Sequence, residues 1–322
     1  MHRRLLLRSA FAVVMCFTLS SLVWAACPPN CYVFQTVINP GDPAFTQLLG
    51  INNSSTIAGY FGDGTMVPNN GFTLVLPSSF TPENFPGAVQ TQVIGINGKG
   101  DTAGFYIDSA GVNHGFTDIG GSFATVDFSS PPSVLTQLLS LNNSDEAAGY
   151  WQNAGGTQFP FTWKGGTFTP LASLLPTSTT AQATGVNNAG LVSGFFTDAG
   201  GVTHGFLLNG TTETVLNDPN GVFTQALGLN NRGQVVGFYM DAGGAMHGFV
   251  YAGGVFTTVN DPNGVNTTIV NGINDKGQLV GFYVNGGNTL GFVANTPEPG
   301  SLMLLGSGML VGLGVLRRKL RG

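Results

Sequence analysis

Three histidines of this chain recur in one local context, each followed by Gly-Phe and preceded by an aspartate six positions earlier. The three pairs are Asp108 with His114, Asp198 with His204, and Asp241 with His247. Imidazole and carboxylate groups serve as metal ligands and as acid–base groups. The pairs occupy equivalent positions of separate repeats, so they should lie well apart unless they line a common axis. We therefore predict a structural hydrogen bond within each pair and no metal site.

Two further aspartates, Asp218 and Asp261, each lie in the segment Asn-Asp-Pro-Asn-Gly. Together with Asp108, Asp198 and Asp241 they form a candidate group of ligand-binding acids, because carboxylates bind Ca²⁺ and can hold the hydroxyls of a glycan. The alternative is that these aspartates are turn formers. Apart from this weak indication of Ca²⁺, no cofactor is predicted.

Catalytic motifs are missing from the sequence, which contains no Gly-x-Ser-x-Gly, no phosphate-binding loop and no His-Glu-x-x-His. A glycosidase needs two carboxylates close together in the fold. The acids that depart from the repeat pattern, Glu83, Glu146 and Glu213, lie in separate repeats. We predict a protein that is not an enzyme. A polysaccharide hydrolase or lyase that uses the acidic residues is the alternative.

The elements that carry these residues are short strands in a repeated unit. The segment Gly221 to Gly264 contains four runs rich in Val, Phe, Tyr and Thr, separated by turn formers, which is typical of four antiparallel strands, named a to d in chain order. In each looser copy an apolar residue and an Asn precede a Gly and two aromatic residues. The glycines are Gly59, Gly104, Gly149, Gly194, Gly237 and Gly281, and the asparagines are Asn52, Asn97, Asn142, Asn187, Asn230 and Asn274.

Six such copies, 43 to 45 residues apart, predict an all-β protein, a six-bladed β-propeller, since propeller blades show periods of about 40 to 50 residues. The first segment after the N-terminus, Val33 to Pro40, matches the d strand of the fifth copy, Val255 to Pro262. The sixth copy ends after its c strand, Leu290 to Val293. We therefore predict that Phe34 to Ile38 completes the blade formed by residues 266–294 and closes the ring.

Antiparallel strands alternate in direction, so the a–b and c–d turns share one end of the propeller, the first rim. The b–c and d–a loops share the other end, the second rim, which carries the five candidate aspartates. From Cys27 to Asn295 there are 15 acidic and 4 basic residues, a net charge of −11. All four basic residues belong to the first rim: Lys99, Lys164, Arg232 and Lys276. Such a charge predicts that the protein does not bind nucleic acid.

The N-terminal residues 1–26 are predicted to be a secretory signal peptide with a helical apolar core. Three arginines precede the apolar run Ala10 to Leu22, and small residues near Ala25 permit cleavage. The propeller domain then spans residues 27–295. Cys27 and Cys31 could form a small disulfide in an oxidising compartment, or they could remain free thiols.

The C-terminal residues 296–322 are predicted to contain a membrane segment followed by a charged tail. Pro297, Glu298 and Pro299 precede the apolar run 301–316, which as a helix would extend about 24 Å and cross a thin bilayer. The basic residues that follow would remain in the cytoplasm: Arg317, Arg318 and Lys319.

This order of Pro-Glu-Pro, short membrane segment and basic residues resembles the PEP-CTERM sorting signal. The resemblance implies a protein exported by a Gram-negative bacterium that makes exopolysaccharide. It also implies that an exosortase recognises and cuts the chain near Pro297 to Pro299. The repeats, in turn, resemble extracellular HAF repeats, named for His-Ala-Phe, with Gly in place of Ala at Gly115, Gly205 and Gly248. That family implies no particular chemistry.

These expectations combine into one functional prediction. We expect a monomeric protein of the cell envelope, cell surface or extracellular matrix, anchored in the membrane through its C-terminal segment until it is processed. It would bind or scaffold extracellular polysaccharide, or another envelope partner, through the loops of one rim.

Overall fold

The structure, a computed structural model, describes residues 32–296 except Ser130 and Pro132. These residues form 24 strands and one 3₁₀ helix, Ala172–Leu174. The first twelve strands are β1 (Val33–Val37), β2 (Thr46–Ile51), β3 (Thr56–Phe61), β4 (Asn70–Val75), β5 (Ser79–Pro82), β6 (Gln90–Ile96), β7 (Thr102–Ile107), β8 (Asn113–Ile119), β9 (Ser122–Val126), β10 (Leu135–Leu141), β11 (Glu146–Gln152) and β12 (Gln158–Lys164). The remaining twelve are β13 (Thr167–Pro170), β14 (Ser178–Val186), β15 (Leu191–Asp198), β16 (Thr203–Asn209), β17 (Thr212–Leu216), β18 (Phe223–Leu229), β19 (Val235–Met240), β20 (Met246–Ala252), β21 (Val255–Val259), β22 (Thr268–Ile273), β23 (Leu279–Asn285) and β24 (Asn288–Asn295).

The strands form an all-β propeller whose sheets correct the prediction of six separate blades. There are four blades of four strands, β2–β5, β14–β17, β18–β21 and β22–β24 with β1, and one eight-stranded sheet, β6–β13. The eight-stranded sheet arises because Leu135 at the start of β10 pairs in parallel with Asn113 at the start of β8. This pairing joins two neighbouring repeats into one sheet. Elsewhere, isolated parallel bridges link neighbouring sheets without merging them, as between Phe45 and Thr289.

The predicted closing strand is present. Strand β1 pairs antiparallel with β24 along its whole length, from Val33 opposite Asn295 to Val37 opposite Gly291. The ring of Phe34 packs edge-on against Phe292, with 5.3 Å between the ring centroids. The first strand of the described chain therefore completes the sheet that contains the last one.

The core lies between neighbouring sheets, and each c strand contributes one fully buried Phe to it. The Phe that ends each His-Gly-Phe triplet, or its counterpart in the other repeats, is at most 1% exposed. These residues are Phe72, Phe116, Phe161, Phe206, Phe249 and Phe292. Burial of a Phe side chain contributes about 1.5–3 kcal/mol. The repeated Phe is therefore a structural residue of the core.

The a–b hairpins each contain one residue in the left-handed backbone conformation, which glycine adopts most readily. Gly100, Gly190, Gly233 and Gly277 have φ angles between 74° and 93°, and Ser55 and Asp145 take the same position with φ of 63° and 59°. The asparagine three positions earlier caps the turn, because its Oδ1 accepts backbone N–H groups two and four positions later in the chain, as at Asn274.

The same six asparagines form a closed ring of hydrogen bonds around the axis at the first rim. The Nδ2 of each asparagine donates to the backbone carbonyl of the asparagine in the next repeat. The six distances are 3.0 Å from Asn52 to Asn97, 3.3 Å from Asn97 to Asn142, 3.0 Å from Asn142 to Asn187, 3.1 Å from Asn187 to Asn230, 3.0 Å from Asn230 to Asn274 and 3.0 Å from Asn274 to Asn52. All six residues are buried. This ring ties the inner strands of all the repeats to one another.

The predicted signal helix and C-terminal membrane helix lie outside the described residues. Between residues 32 and 296, no helix is long and apolar enough to cross a membrane.

Candidate functional site

Each of the three histidines begins the c strand of its repeat on the second rim, where it lies between two polar side chains. The Nε2 of His114 is 3.4 Å from a carboxylate oxygen of Asp108, and its Nδ1 is 2.8 Å from a carboxylate oxygen of Asp127. The same arrangement recurs as Asp198–His204–Asn217, with distances of 3.1 and 2.8 Å, and as Asp241–His247–Asn260, with distances of 3.2 and 3.2 Å. The hydrogen bond expected from the six-residue spacing is therefore found in all three repeats.

The second partner of each histidine lies 13 positions after it, just beyond the d strand. Sequence reasoning did not pair these residues with the histidines. The signal that could have found them is the constant spacing, combined with the fact that the c and d strands are antiparallel neighbours. Each imidazole therefore bridges a b–c loop and a d–a loop of one repeat.

The aspartate of each b–c loop is held by its own backbone. The Oδ1 of Asp241 accepts hydrogen bonds from the N–H groups of Gly243 and Ala245, at 2.8 and 2.9 Å. The backbone N–H of Ala245, followed by the imidazole of His247, lowers the pKa of the Asp241 carboxyl. The pKa values of Asp108 and Asp198 are lowered for the same two reasons, with a backbone N–H the larger cause in each. Three ionised carboxylates thus face solvent on the second rim at neutral pH.

An aromatic ring of the b strand lies beside each imidazole. The ring centroids are 5.0 Å apart for Tyr106 and His114, and 5.0 Å apart for Tyr239 and His247. The aromatic residues are buried, whereas the three histidine side chains are 19–23% exposed. Each imidazole is therefore only partly accessible from the second rim.

The His114 site opens into a cavity of about 290 Å³. Its polar lining comes from Asp127, Ser129 and Ser133 together with the histidine, and its apolar lining includes Phe128. The Oδ1 of Asn113, which also lines this cavity, has no hydrogen-bond partner among the described residues. Ligand pockets combine a few fixed polar groups with apolar or aromatic walls, and this cavity has that combination.

A second cavity, of about 420 Å³, lies next to the His247 site. It is lined by Asn260, the partner of His247, by Thr258 and Pro262, and by Tyr32 and Phe34 next to and within the closing strand. Strand β1 thus supplies part of the wall of this cavity, which places the closure of the ring next to a possible binding site.

The two remaining candidate acids are placed differently. Asp218 and Asp261 are each 2% exposed, and the Oδ2 atom of each has no hydrogen-bond partner among the described residues. Their other carboxylate oxygens accept N–H groups of Asn220 and Asn263 within the turn. Burial raises the pKa of the Asp261 carboxyl. Both aspartates shape the d–a turns and do not face solvent with the other three.

The structure brings one repeat-breaking acid next to another carboxylate. Glu83 accepts a hydrogen bond of 2.8 Å from Thr102, and its carboxyl lies within hydrogen-bonding reach of Asp118. Burial, followed by the contact with Asp118, raises the pKa of Glu83 to about 7. Neither residue lines the two rim cavities.

Several predicted features cannot be compared with the structure. The sorting residues from Pro297 onward, the two cysteines Cys27 and Cys31, and the signal peptide lie outside the described residues. Within the described part of the chain, no group of three or more His, Cys, Asp and Glu side chains is arranged to hold a metal ion.

Comparison with known proteins bears on the C-terminus and on the fold. Residues 295–319 match the PEP-CTERM protein-sorting motif. No curated protein sequence matches the chain, and no comparison shows HAF repeats, which therefore remain a prediction. A PEP-CTERM signal marks a protein for export to the cell envelope or surface, so this chain carries the sorting signal of an exported protein.

Among solved structures, the chain is similar to AofleA from Arthrobotrys oligospora, at 10% identity and a TM-score of 0.50, over 80% of this chain and 85% of that one. It is also similar to a fucose-specific lectin from Aleuria aurantia, at 11% identity and a TM-score of 0.49, over 79% of this chain and 97% of that one. At these identities the likeness to AofleA concerns the fold alone. The chain is thus an all-β propeller that carries a PEP-CTERM sorting signal.

Proposed function

We propose that this protein is an exosortase-sorted, non-enzymatic propeller of the cell envelope or extracellular matrix that binds extracellular polysaccharide through its second rim. The observation that carries the proposal is the cavity beside His114. There an imidazole edge, the Asp127 carboxylate and two serine side chains line one space together with Phe128. Sugars are bound by such sets of hydrogen-bonding groups beside apolar walls.

The charge of the second rim favours an uncharged polysaccharide. The carboxylates of Asp108, Asp198 and Asp241 are held ionised there by backbone N–H groups and histidines. An anionic polymer would be repelled by these charges, unless a cation such as Ca²⁺ bridged it to them. Binding in the presence and in the absence of Ca²⁺ therefore distinguishes a neutral ligand from an anionic one.

The test is retention of the purified full-length protein on the exopolysaccharide of its own host, with Ca²⁺ or with a chelator. His114→Leu removes the polar edge, and it should preserve the fold because the sixth repeat has Leu290 at that position. Asp127→Asn removes the charge only, as in the repeats that have Asn217 or Asn260. Asp145→Asn on the first rim is the matched control. We expect His114→Leu to weaken binding about tenfold or more and the control to bind like the wild type.

If the wild-type protein is not retained on the polysaccharide, either with Ca²⁺ or without it, polysaccharide binding is refuted. The enzymatic alternative predicts that the wild type releases reducing ends or unsaturated products from the same polymer, and that single substitutions of rim acids abolish this release. We expect no product, because the close carboxyl pair, Glu83 with Asp118, lies away from the rim cavities.

Sorting is tested separately by the mass of the mature protein from its host. The match over residues 295–319 supports cleavage by an exosortase near Pro297 to Pro299, which would release the propeller from its C-terminal membrane segment. A mature mass that includes Arg317 and the residues after it would contradict cleavage and favour a permanent anchor. The same spectrum shows whether residues 1–26 have been removed and whether Cys27 and Cys31 are oxidised.

A further inference from the structure

A third cavity, of about 220 Å³, lies on the propeller axis at the second rim, away from the histidines. Its walls are axis-facing residues of the a strands, with the side chain of Phe195 from a b strand. Below it the axis narrows between apolar residues such as Ile51 and Ile96, and then meets the asparagine ring. The axis therefore forms a funnel whose wide end opens on the second rim.

The lining of this axial cavity combines apolar side chains with amides. The apolar residues are Leu49, Ile94, Leu139, Phe195 and Leu227, and the amides, Gln182, Gln225 and Asn271, all come from the last three repeats. One of these amides departs from the repeat pattern. Asn271 takes the place that Leu49, Leu139 and Leu227 occupy in their repeats.

Two of these amides have unused hydrogen-bonding capacity. The Nδ2 of Asn271 donates to the carbonyl of Leu48 at 2.9 Å, which fixes the amide, and its Oδ1 accepts no hydrogen bond from a described residue. The side chain of Gln225 forms no hydrogen bond with any other described residue. By contrast, the hydroxyl of Thr184, another polar departure from the repeat, donates to the Ala226 carbonyl at 2.9 Å and is satisfied.

No charged side chain lines the axial cavity. A charged group that entered it would lose its hydration without gaining an ionic partner, which is unfavourable. A secondary amide can satisfy both the amide and the apolar residues of this lining. Its N–H can donate to Asn271 Oδ1, its carbonyl can accept from the Gln225 amide, and a methyl group on the carbonyl can pack against Leu49 and Leu139. The acetamido group of an N-acetylated sugar has these three features on an uncharged ring.

We propose that the axial cavity is a binding site for the acetamido group of an uncharged N-acetylated sugar. This site goes beyond the polysaccharide binding proposed for the rim, and it is independent of His114. It requires that the protein distinguish an N-acetylated sugar from the same sugar with a hydroxyl in place of the acetamido group. The distinction resides in the amides of Asn271 and Gln225 together with the leucines of the lining.

The test compares N-acetylglucosamine with glucose as probes of the full-length protein, by calorimetry and by saturation transfer to the probe in NMR. We expect N-acetylglucosamine to bind at least about tenfold more tightly than glucose, and its acetyl methyl to receive the strongest saturation. Asn271→Leu and Gln225→Ile should each weaken its binding about tenfold. Both substitutions introduce the residue that another repeat has at the same position, Leu49 and Ile269.

Gln92→Ile is the matched control, because Gln92 does not line the axial cavity and its amide donates instead to Asn69 Oδ1 at 2.7 Å. It should bind the probe like the wild type, as should His114→Leu. Equal affinity for the two sugars, no binding of N-acetylglucosamine at about 10 mM, or unchanged binding by Gln225→Ile would overturn the proposal. Loss of probe binding in His114→Leu would instead assign the sugar to the rim. A thermal unfolding curve for each variant shows whether it is folded. If Asn271→Leu does not fold, the test rests on Gln225→Ile, which removes no internal hydrogen bond.

Discussion

The Nδ2 of Asn274 donates a hydrogen bond of 3.0 Å to the backbone carbonyl of Asn52, a residue 222 positions earlier in the chain. The other five bonds of the asparagine ring join consecutive repeats, whereas this one joins the last repeat to the first. Together with the pairing of β1 and β24, it closes the propeller on the inside while the strands close it on the outside.

Asn274→Ala should destabilise the protein by about 2–4 kcal/mol. The substitution removes the bond to Asn52 and leaves the backbone N–H groups of Lys276 and Gln278 without their acceptor in a partly buried turn. The free energy of unfolding in urea measures the effect. The control is Asn285→Ala, whose amide donates to the Asn263 carbonyl at an exposed position, and which should cost less than about 1 kcal/mol. Equal effects of the two substitutions would show that the ring adds no more than a surface hydrogen bond.

Phe34→Ala should destabilise the closed ring by about 2 kcal/mol, because the partly buried Phe34 ring packs against Phe292 across the β1–β24 pairing. Val33→Ala is the control, since the Val33 side chain is 59% exposed on the same strand, and it should change stability by less than about 0.5 kcal/mol. Both variants are compared with the wild type by urea unfolding. A loss for Val33→Ala as large as that for Phe34→Ala would attribute the effect to strand propensity and not to closure.

Glu83 should make stability depend on pH. Its pKa is raised from 4.5 to about 7 in the folded protein, so the folded state binds more protons than the unfolded state between these two values. The contribution of Glu83 is therefore fully present below about pH 4.5 and is lost as the pH rises through about 7. Allowing for solvent screening at this partly exposed group, the loss should be about 1–2 kcal/mol.

Glu83→Gln should remove this pH dependence, because the amide keeps the shape of the side chain and does not ionise. The free energy of unfolding, measured at about pH 5 and about pH 8, should fall more between these values for the wild type than for the variant. Glu146→Gln, an acid of another repeat, serves as the control and should follow the wild type. Parallel pH profiles of the wild type and Glu83→Gln would contradict the assignment.

Gly237→Ala should prevent folding or cost more than about 3 kcal/mol, because a Cβ at this position would overlap the backbone carbonyl oxygen of Gln225 on the neighbouring strand. Gly244→Ala is the control. Gly244 has a φ of 85°, and a Cβ added there would have no atom within 4 Å. The substitution therefore strains only the backbone conformation, at a cost of about 1 kcal/mol. Yield and thermal unfolding of the two variants separate the two effects. Equal stability would show that the inner strands can move apart to admit a methyl group.

The strands and the closing pair could be predicted from the sequence alone. The sequence itself shows the period of 43 to 45 residues, the turn glycines and the missing last strand. A surplus strand at one end can pair only where a strand is lacking. The hydrogen bond between each histidine and the preceding aspartate was also predictable, because six residues of a b–c loop bring the two side chains together.

Which side chains meet between repeats could not be predicted in this way, because it depends on how the sheets pack together. The parallel pairing of Leu135 with Asn113, which merges two repeats into one sheet, depends on how closely neighbouring sheets approach at the second rim. The influence of Asp118 on the pKa of Glu83 and the mixed lining of the axial cavity depend likewise on the relative placement of separate sheets. Periodicity assigns a residue to a strand and a face, but these contacts are set by the distance and twist between sheets, which packing of the whole ring determines.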